Sequence, residues 1–179
     1  MFKTFISYIF LCCFMFVHAE EYGSDTGWKL PRFVSLKSDE VNLRVGPGTK
    51  YPIVVKYIVK NLPIEIIEEN NKWRKVKDFD GNEGWILEGL LKGNRFGIIN
   101  QSYNESAQIY SHPKGRVIGK MGKNNIVKID SCLLHWCKVK DAENSGWINK
   151  ENLWGAYQNE KFNVSLFQPI INQIWKIKF

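Results

Sequence analysis

The sequence predicts an all-β protein that folds as two small tandem barrels, followed by a short C-terminal tail. Short apolar stretches rich in Val, Ile and Trp alternate with Gly, Asn and Asp turn residues, which is typical of strands joined by tight turns. The chain also contains a diverged internal repeat with an offset of about 63 residues. Neither copy keeps a 3.6-residue apolar period over a long stretch, so helices are not expected there.

Two groups of residues carry the repeat. Trp73-Arg74-Lys75-Val76-Lys77-Asp78 returns as Trp136-Cys137-Lys138-Val139-Lys140-Asp141, and Gly84-Trp85-Ile86 returns as Gly146-Trp147-Ile148. Upstream, residues 42–47 align with residues 108–113. The order of these groups is the same in both copies, so the two copies are expected to share one fold.

Each copy is divided into short predicted strands. In the first copy they cover residues 41–45, 53–59, 64–69, 73–78 and 83–87; in the second they cover 117–121, 126–130, 136–141 and 146–148. Five short strands in about 50 residues suit a small barrel, which removes most exposed edges. The adjacent acids Glu68 and Glu69 alternate between strand faces and are expected to be solvated.

Composition excludes several classes of protein. Among 179 residues, 44% are hydrophobic and 24% are charged, so bulk disorder, collagen, coiled coils and multispan transporters are excluded. Beyond residue 19 the only histidines are His112 and His135, and neither has an evident partner for a catalytic triad. The sequence also contains no phosphate-binding loop and no His-Glu-x-x-His motif. We therefore expect no catalysis, no cofactor and no metal site.

The N-terminus has the pattern of a secretory signal peptide. Lys3 precedes an apolar run over residues 4–17, and Val17-His18-Ala19 forms a cleavage site. Residues 1–19 are thus predicted to be removed, leaving Glu20 as the mature N-terminus, no membrane span and a periplasmic or extracellular protein. Loss of Lys3 lowers the formal net charge from +7 to +6, which suits anionic surfaces; export argues against nucleic acid.

Cys132 and Cys137 are the cysteines that remain after cleavage. Export permits oxidation, and four intervening residues match a hairpin connection, so a disulfide is favoured. Free thiols and a metal site with His135 are the alternatives, the second lacking a fourth ligand at useful spacing. Strand parity places Cys137 inward and Cys132 outward unless a bulge intervenes.

The motifs resemble a known family. PRFVSLKSDEVNLRVGPGTKYPIV from Pro31, followed by WRKVKDFDGNEGWI from Trp73, closely resembles the bacterial Src-homology-3-like (SH3b) domains of exported proteins. The region from Cys132 to Gly155 resembles the second domain of two-domain alphaproteobacterial members. The resemblance implies SH3-like barrels over residues 30–93 and 94–157, a tail over 158–179, and binding at the cell envelope without catalysis.

The expected function is a non-catalytic exported module that recognises peptidoglycan or an envelope peptide. The candidate ligand-binding residues surround the Gly46 loop and the nearby strand ends: Asn42, Arg44, Tyr51, Tyr57 and Trp73. Aromatic rings beside one cation and one amide suit an extended peptide. In the competing interpretation Arg44 is a surface residue and Trp73 and Trp85 belong to the core. The alternative function is a periplasmic adaptor or structural protein that binds a protein partner by edge-strand addition.

Overall fold

The computed structural model describes residues 21–100 and 106–166. The described residues form an N-terminal hairpin and two seven-stranded antiparallel sheets, and they contain no α-helix. The hairpin and first sheet comprise β1 (Glu21–Tyr22), β2 (Lys29–Leu30), β3 (Arg32–Leu36), β4 (Val41–Arg44), β5 (Ile53–Tyr57), β6 (Pro63–Asn70), β7 (Trp73–Lys77), β8 (Glu83–Leu87) and β9 (Leu91–Lys92). The second sheet comprises β10 (Phe96–Ile99), β11 (Ser106–Tyr110), β12 (Val117–Gly122), β13 (Ile126–Cys132), β14 (Trp136–Lys140), β15 (Ser145–Asn149) and β16 (Leu153–Trp154).

The two sheets have the same topology, which confirms the predicted repeat. The strand order is β5-β4-β8-β7-β6-β3-β9 in the first sheet and β12-β11-β15-β14-β13-β10-β16 in the second. In each sheet, a one-turn 3₁₀ helix (Glu88–Leu90 or Lys150–Asn152) lies immediately before the last strand in sequence. We call the two units the first and second barrel.

Each barrel surrounds its own apolar core. In β4, Val41 and Leu43 are buried while Asn42 and Arg44 lie on the outer face, as the two-residue strand period requires. Val76 and Ile86 complete the same cluster from β7 and β8. The second core contains the equivalent residues, among them Val139 and Ile148.

The predicted strand limits differ from the structure in two respects. The strand expected over 53–59 ends at Tyr57, and five strands that were not predicted pair within the two seven-stranded sheets, namely β3, β9, β10, β11 and β16. Residues 1–19, with the predicted cleavage site, lie outside the described residues. Within the described part of the chain, no helix has the length and apolar character needed to cross a bilayer.

The prediction that Glu69 is solvated is wrong. A bulge between Ile66 and Glu68 shifts the register of β6 against β7, so Glu69 turns inward while Glu68 stays exposed. The side chain of Glu69 is 0% exposed. It accepts hydrogen bonds from the backbone N–H groups of Asp25 and Thr26 and from Arg32 Nη2, which attach the N-terminal hairpin to the first barrel.

The C-terminal segment packs on the second barrel as far as the structure describes it, as predicted. Phe162 pairs with Cys132 through two backbone hydrogen bonds and packs against the core. Upstream, buried Lys150 donates from Nζ to the carbonyl oxygens of Tyr157, Gln158 and Glu160, and burial lowers the pKa of its ammonium group. This ammonium group fixes the turn that leads into the tail.

The two barrels contact each other through aromatic rings. Phe33 on the outer face of β3 packs against Trp154 and Tyr157, with ring centroids 5.0 and 4.7 Å away. Phe79 lies 5.8 Å from Trp154. Across the same boundary the Tyr157 hydroxyl donates to Glu65 Oε1 at 2.8 Å.

Candidate functional site

The candidate surface is the outer face of β4, β8 and β7 in the first barrel. Arg44 pairs with Trp85 across β4 and β8, and Trp85 pairs with Lys75 across β8 and β7. Directly paired residues in an antiparallel sheet have side chains on the same face. Trp73, two residues before Lys75, shares this face. The fold therefore brings together a guanidinium group, an ammonium group and two indole rings, which we call the outer face of the first barrel.

Arg44 holds the loop between β4 and β5. Its Nη1 donates to the carbonyl oxygens of Thr49 and Tyr51 at 3.1 and 2.8 Å. Among the described residues no acceptor bonds its Nη2 or Nε. Arg44 is half-buried, so part of the guanidinium group is available to an anionic ligand.

Tyr51 closes this loop over two glycines. A Cβ atom on Gly46 would lie 2.6 Å from the Tyr51 ring, and one on Gly48 would lie 3.3 Å from it. The glycines therefore permit the close approach of the ring, which a side chain at either position would hinder. Tyr51 itself is half-buried.

The two tryptophans differ in exposure. Trp85 is 9% exposed, so it is buried as predicted. Its pairing with Arg44 nevertheless places it on the outer face of the sheet, and it does not belong to the main apolar cluster. Trp73 is half-buried at the start of β7 and pairs with Leu87. Trp73 is thus the more accessible of the two rings.

Tyr57 does not belong to this surface. It pairs with core residue Val41, is 8% exposed, and donates its hydroxyl hydrogen to Asp78 Oδ2 at 2.9 Å. Burial and the Asp78 carboxylate raise its pKa. Asn42 does lie on the outer face, half-buried opposite Lys56, and its Oδ1 has no donor among the described residues.

The second barrel presents a different version of the same face. Tyr110 pairs with Trp147 as Arg44 pairs with Trp85, so Tyr110 occupies the position of Arg44. Its ring packs edge-on against Trp136, with centroids 5.1 Å apart, and its hydroxyl donates to Gln108. The equivalent surface therefore lacks the guanidinium group.

The cysteines form the predicted disulfide. Cys132 pairs directly with Cys137 across β13 and β14, with a Cα–Cα distance of 4.1 Å, and both are 0% exposed. A bulge between Ile129 and Ser131 turns Cys132 inward, as the parity argument required. His135 lies exposed in the hairpin turn, and the described residues contain no cluster of metal-binding side chains.

Sequence analysis did not identify the charged residues near the barrel boundary. Arg95 forms an ion pair with Glu160 and donates to the Gly155 carbonyl oxygen. Desolvation alone would raise the pKa of Glu160, but hydrogen bonds from Arg95 lower it. Arg32 pairs with Glu69 in the first barrel. Glu69 and Arg74 carry opposite charges and lie on either side of the Asn70-Asn71 turn. This pairing in the sequence could have indicated a buried ionic group.

A model of the bacterial SH3 domain family matches the chain twice, over residues 37–93 and 104–155, and each match covers one barrel except for β3 in the first and β10 in the second. The chain belongs to the bacterial SH3 domain family. The chain is 23% identical over 126 residues to the "Putative N-acetylmuramoyl-L-alanine amidase YrvJ" of Bacillus subtilis, and the match covers 65% of this chain and 24% of that protein. The chain thus spans about a quarter of the length of this relative.

Solved structures with similarity to the tandem bacterial SH3 domains include NlpC2 from Trichomonas vaginalis and the CBD of endolysin LysPBC5. The first is 15% identical with a TM-score of 0.32, and the match covers 74% of this chain and 51% of that one. The second is 15% identical with a TM-score of 0.29, and the match covers 68% of this chain and 90% of that one.

Proposed function

We propose that the chain is a non-catalytic binding module of the bacterial cell envelope that recognises peptidoglycan or an envelope peptide. Membership of the bacterial SH3 family supports this proposal. The relative named as an amidase supports it too, because the chain matches only 24% of that protein, as a module attached to an enzyme would. The apolar run and cleavage pattern in residues 1–19 support export to the periplasm or beyond.

The observation that carries the proposal is the half-exposed Arg44 guanidinium group beside two indole rings on the outer face of the first barrel. A carboxylate, such as the terminus of a wall peptide, would accept hydrogen bonds from the Arg44 donors that have no described partner. Trp73 and Tyr51 would supply the apolar wall. Charge-assisted hydrogen bonds of this kind contribute about 1.5–3 kcal/mol.

The test is sedimentation of the purified protein with purified sacculi. Arg44→Ala and Trp73→Ala are expected to weaken binding by about tenfold or more, given the strength of such bonds. The structurally equivalent changes in the second barrel, Tyr110→Ala and Trp136→Ala, serve as matched controls and are expected to sediment like the parent. Arg44→Ala and Trp73→Ala proteins that sediment like the parent, at equal thermal stability, would show that this face is not the ligand site.

One observation favours the alternative function, an adaptor for a protein partner. Strand β5 forms an edge of the first sheet, and Ile53 and Val54 on it are 49% and 51% exposed. An exposed apolar edge suits addition of a strand from another protein. A photo-crosslinking amino acid at position 54, introduced in cells, would then label one defined partner, whereas exposed position 68 on the interior strand β6 would not.

A further inference from the structure

A cleft of about 690 Å³ lies between the two barrels, away from the outer face of the first barrel. Its walls come from the N-terminal hairpin and β3, from the connection between the barrels, and from β13 with the segment after β16. The side chains that line the cleft include those of Trp28, Arg32, Arg95, Lys128 and Phe162. Two smaller cavities of about 330 and 450 Å³ also border Arg32, so this residue lines all three.

The lining of these cavities is basic. Six cationic side chains line them, against three acidic ones; the cations are Lys29, Arg32, Arg74, Lys92, Arg95 and Lys128, and the acids are Glu88, Asp130 and Glu160. Glu69 and Asp25 lie outside these linings but pair with Arg32 or Arg74, and adding both still leaves an excess of one positive charge. A cavity of this sign attracts anions.

Three guanidinium donors at the cleft have no acceptor within residues 21–100 and 106–166. Nε and Nη1 of Arg32 and Nε of Arg95 are buried and unbonded among the described residues. The Trp28 ring lies over the Arg32 guanidinium group at 5.5 Å and is itself 61% exposed, so its core contacts are few. A small outward movement of this ring would open the Arg32 donors to the cavity. A carboxylate acceptor would then offset the cost of leaving them unpaired.

The cleft also has apolar surfaces next to its charges. The Arg95 guanidinium group lies between the rings of Phe33 and Phe162, at 5.7 and 4.8 Å. Lys128 is 42% exposed, and its only described ion pair is with Asp130 at 3.7 Å. Cations spaced along an aromatic-walled groove fit a chain that carries repeated carboxylates on a flexible backbone.

We propose that the cleft between the barrels binds an extended acidic peptide, with carboxylates held by Arg32 and Lys128 and the peptide backbone resting on Trp28 and Phe162. The site is built from both barrels and from their connection, so it exists only in the tandem arrangement. It is separate from the outer face of the first barrel, and its ligand need not be the ligand bound there.

Titration of the purified protein with tri-L-glutamate, followed by ¹⁵N-detected amide and indole shifts at low ionic strength, tests the proposal. Saturable shifts are expected at the Trp28 indole N–H, at Asn94 and in β13. Lys128→Glu is expected to weaken binding about tenfold, because it removes one favourable charge interaction and adds a repulsive one. Arg32→Lys keeps the charge opposite Glu69 but loses the unpaired donors, and is expected to weaken binding about fivefold.

Matched controls separate this site from general attraction and from the outer face. Lys120→Glu makes the same charge change on an exposed edge strand of the same barrel and should leave tri-L-glutamate affinity within about twofold. Arg44→Ala, which tests the outer face, should also leave it unchanged. Absence of saturable binding, equal losses for Lys128→Glu and Lys120→Glu, or tighter binding of tripolyphosphate than of tri-L-glutamate would each overturn the proposal, whatever the sacculus experiment shows.

Discussion

At the scale of single residues, the buried carboxylate of Glu69 joins the N-terminal hairpin to the first barrel. Its two oxygens accept from Thr26 Oγ1 at 2.7 Å, Thr26 N at 2.9 Å, Asp25 N at 3.0 Å and Arg32 Nη2 at 2.5 Å. Desolvation by burial would raise the pKa of Glu69, but these hydrogen bonds outweigh it and lower the pKa to about 2. Only the ionised carboxylate can accept all of them.

Protonation of Glu69 should therefore destabilise the protein. The folded pKa lies below the unfolded value of 4.5, so the stabilisation is complete above about pH 5 and is lost as the pH falls toward about 2. Glu69→Gln is expected to lower the free energy of unfolding at pH 7 by about 3 kcal/mol and to flatten its dependence on pH in that window. Denaturant unfolding at several pH values measures both effects.

The neighbouring acid provides the control. Glu68 is 53% exposed and 3.7 Å from Lys75, so Glu68→Gln should cost less than about 1 kcal/mol. Equal losses for the two variants would mean that the buried hydrogen bonds of Glu69 contribute nothing beyond a surface charge.

At the scale of elements, the two barrels stabilise the same hairpin by different chemistry. Glu69 pairs with Arg74 across β6 and β7 at the position where Cys132 pairs with Cys137 across β13 and β14. The first pair is ionic, with Arg74 Nε 3.7 Å from Glu69 Oε1, and the second is a disulfide. Each pair is covered by a terminal segment, the N-terminal hairpin in one barrel and Phe162 in the other.

Removal of the disulfide should loosen the second hairpin without unfolding the first barrel. A bond that closes a loop this short contributes about 2 kcal/mol. Cys132→Ala with Cys137→Ala is expected to reduce the protection of β13 and β14 amides against hydrogen exchange by that amount, and to leave β6 and β7 unchanged. Reductant should have the same effect on the parent and none on the double variant. If the β13 and β14 amides of the reduced parent protein keep their full protection against hydrogen exchange, the disulfide does not stabilise this hairpin.

At the scale of the whole molecule, the aromatic contacts between the barrels should make them unfold together. Phe33 is 8% exposed and contacts both Trp154 and Tyr157 of the second barrel. Burial of such a ring contributes about 3 kcal/mol or more, which is large compared with the stability of one small barrel. The parent is expected to show one calorimetric transition.

Phe33→Ala is expected to split this transition into two, because each barrel keeps its own core. Tyr157→Phe removes only the hydroxyl hydrogen bond to Glu65, costs about 1 kcal/mol, and should preserve a single transition. Scanning calorimetry of the three proteins measures the ratio of the calorimetric to the van't Hoff enthalpy, which is one for a single two-state transition. One cooperative transition in Phe33→Ala protein would show that the barrels are coupled by other contacts.

Much of the fold could be predicted because it depends on local patterns. Short apolar stretches between turn residues predicted the strands that the structure contains as β4, β6, β7 and β8, and the repeated Trp73 and Trp136 segments predicted that the barrels are equivalent. The disulfide followed from the spacing of two cysteines in a hairpin. These predictions need only the two-residue period of a strand and the residues of a turn. Both patterns are formed by residues that are close together in the sequence.

The sequence by itself determined the strand periodicity, the tandem repeat and the family resemblance, whereas tertiary structure decided which polar residues are buried. A bulge in β6 turns Glu69 inward, and the local pattern contains no signal of it, whereas the matching bulge in β13 was expected only if Cys132 forms a disulfide with Cys137. The same limit applies to Arg32, Arg95 and Phe33, whose partners lie far away in sequence. Contacts between distant segments depend on how completed barrels pack, and a two-residue period does not encode that packing.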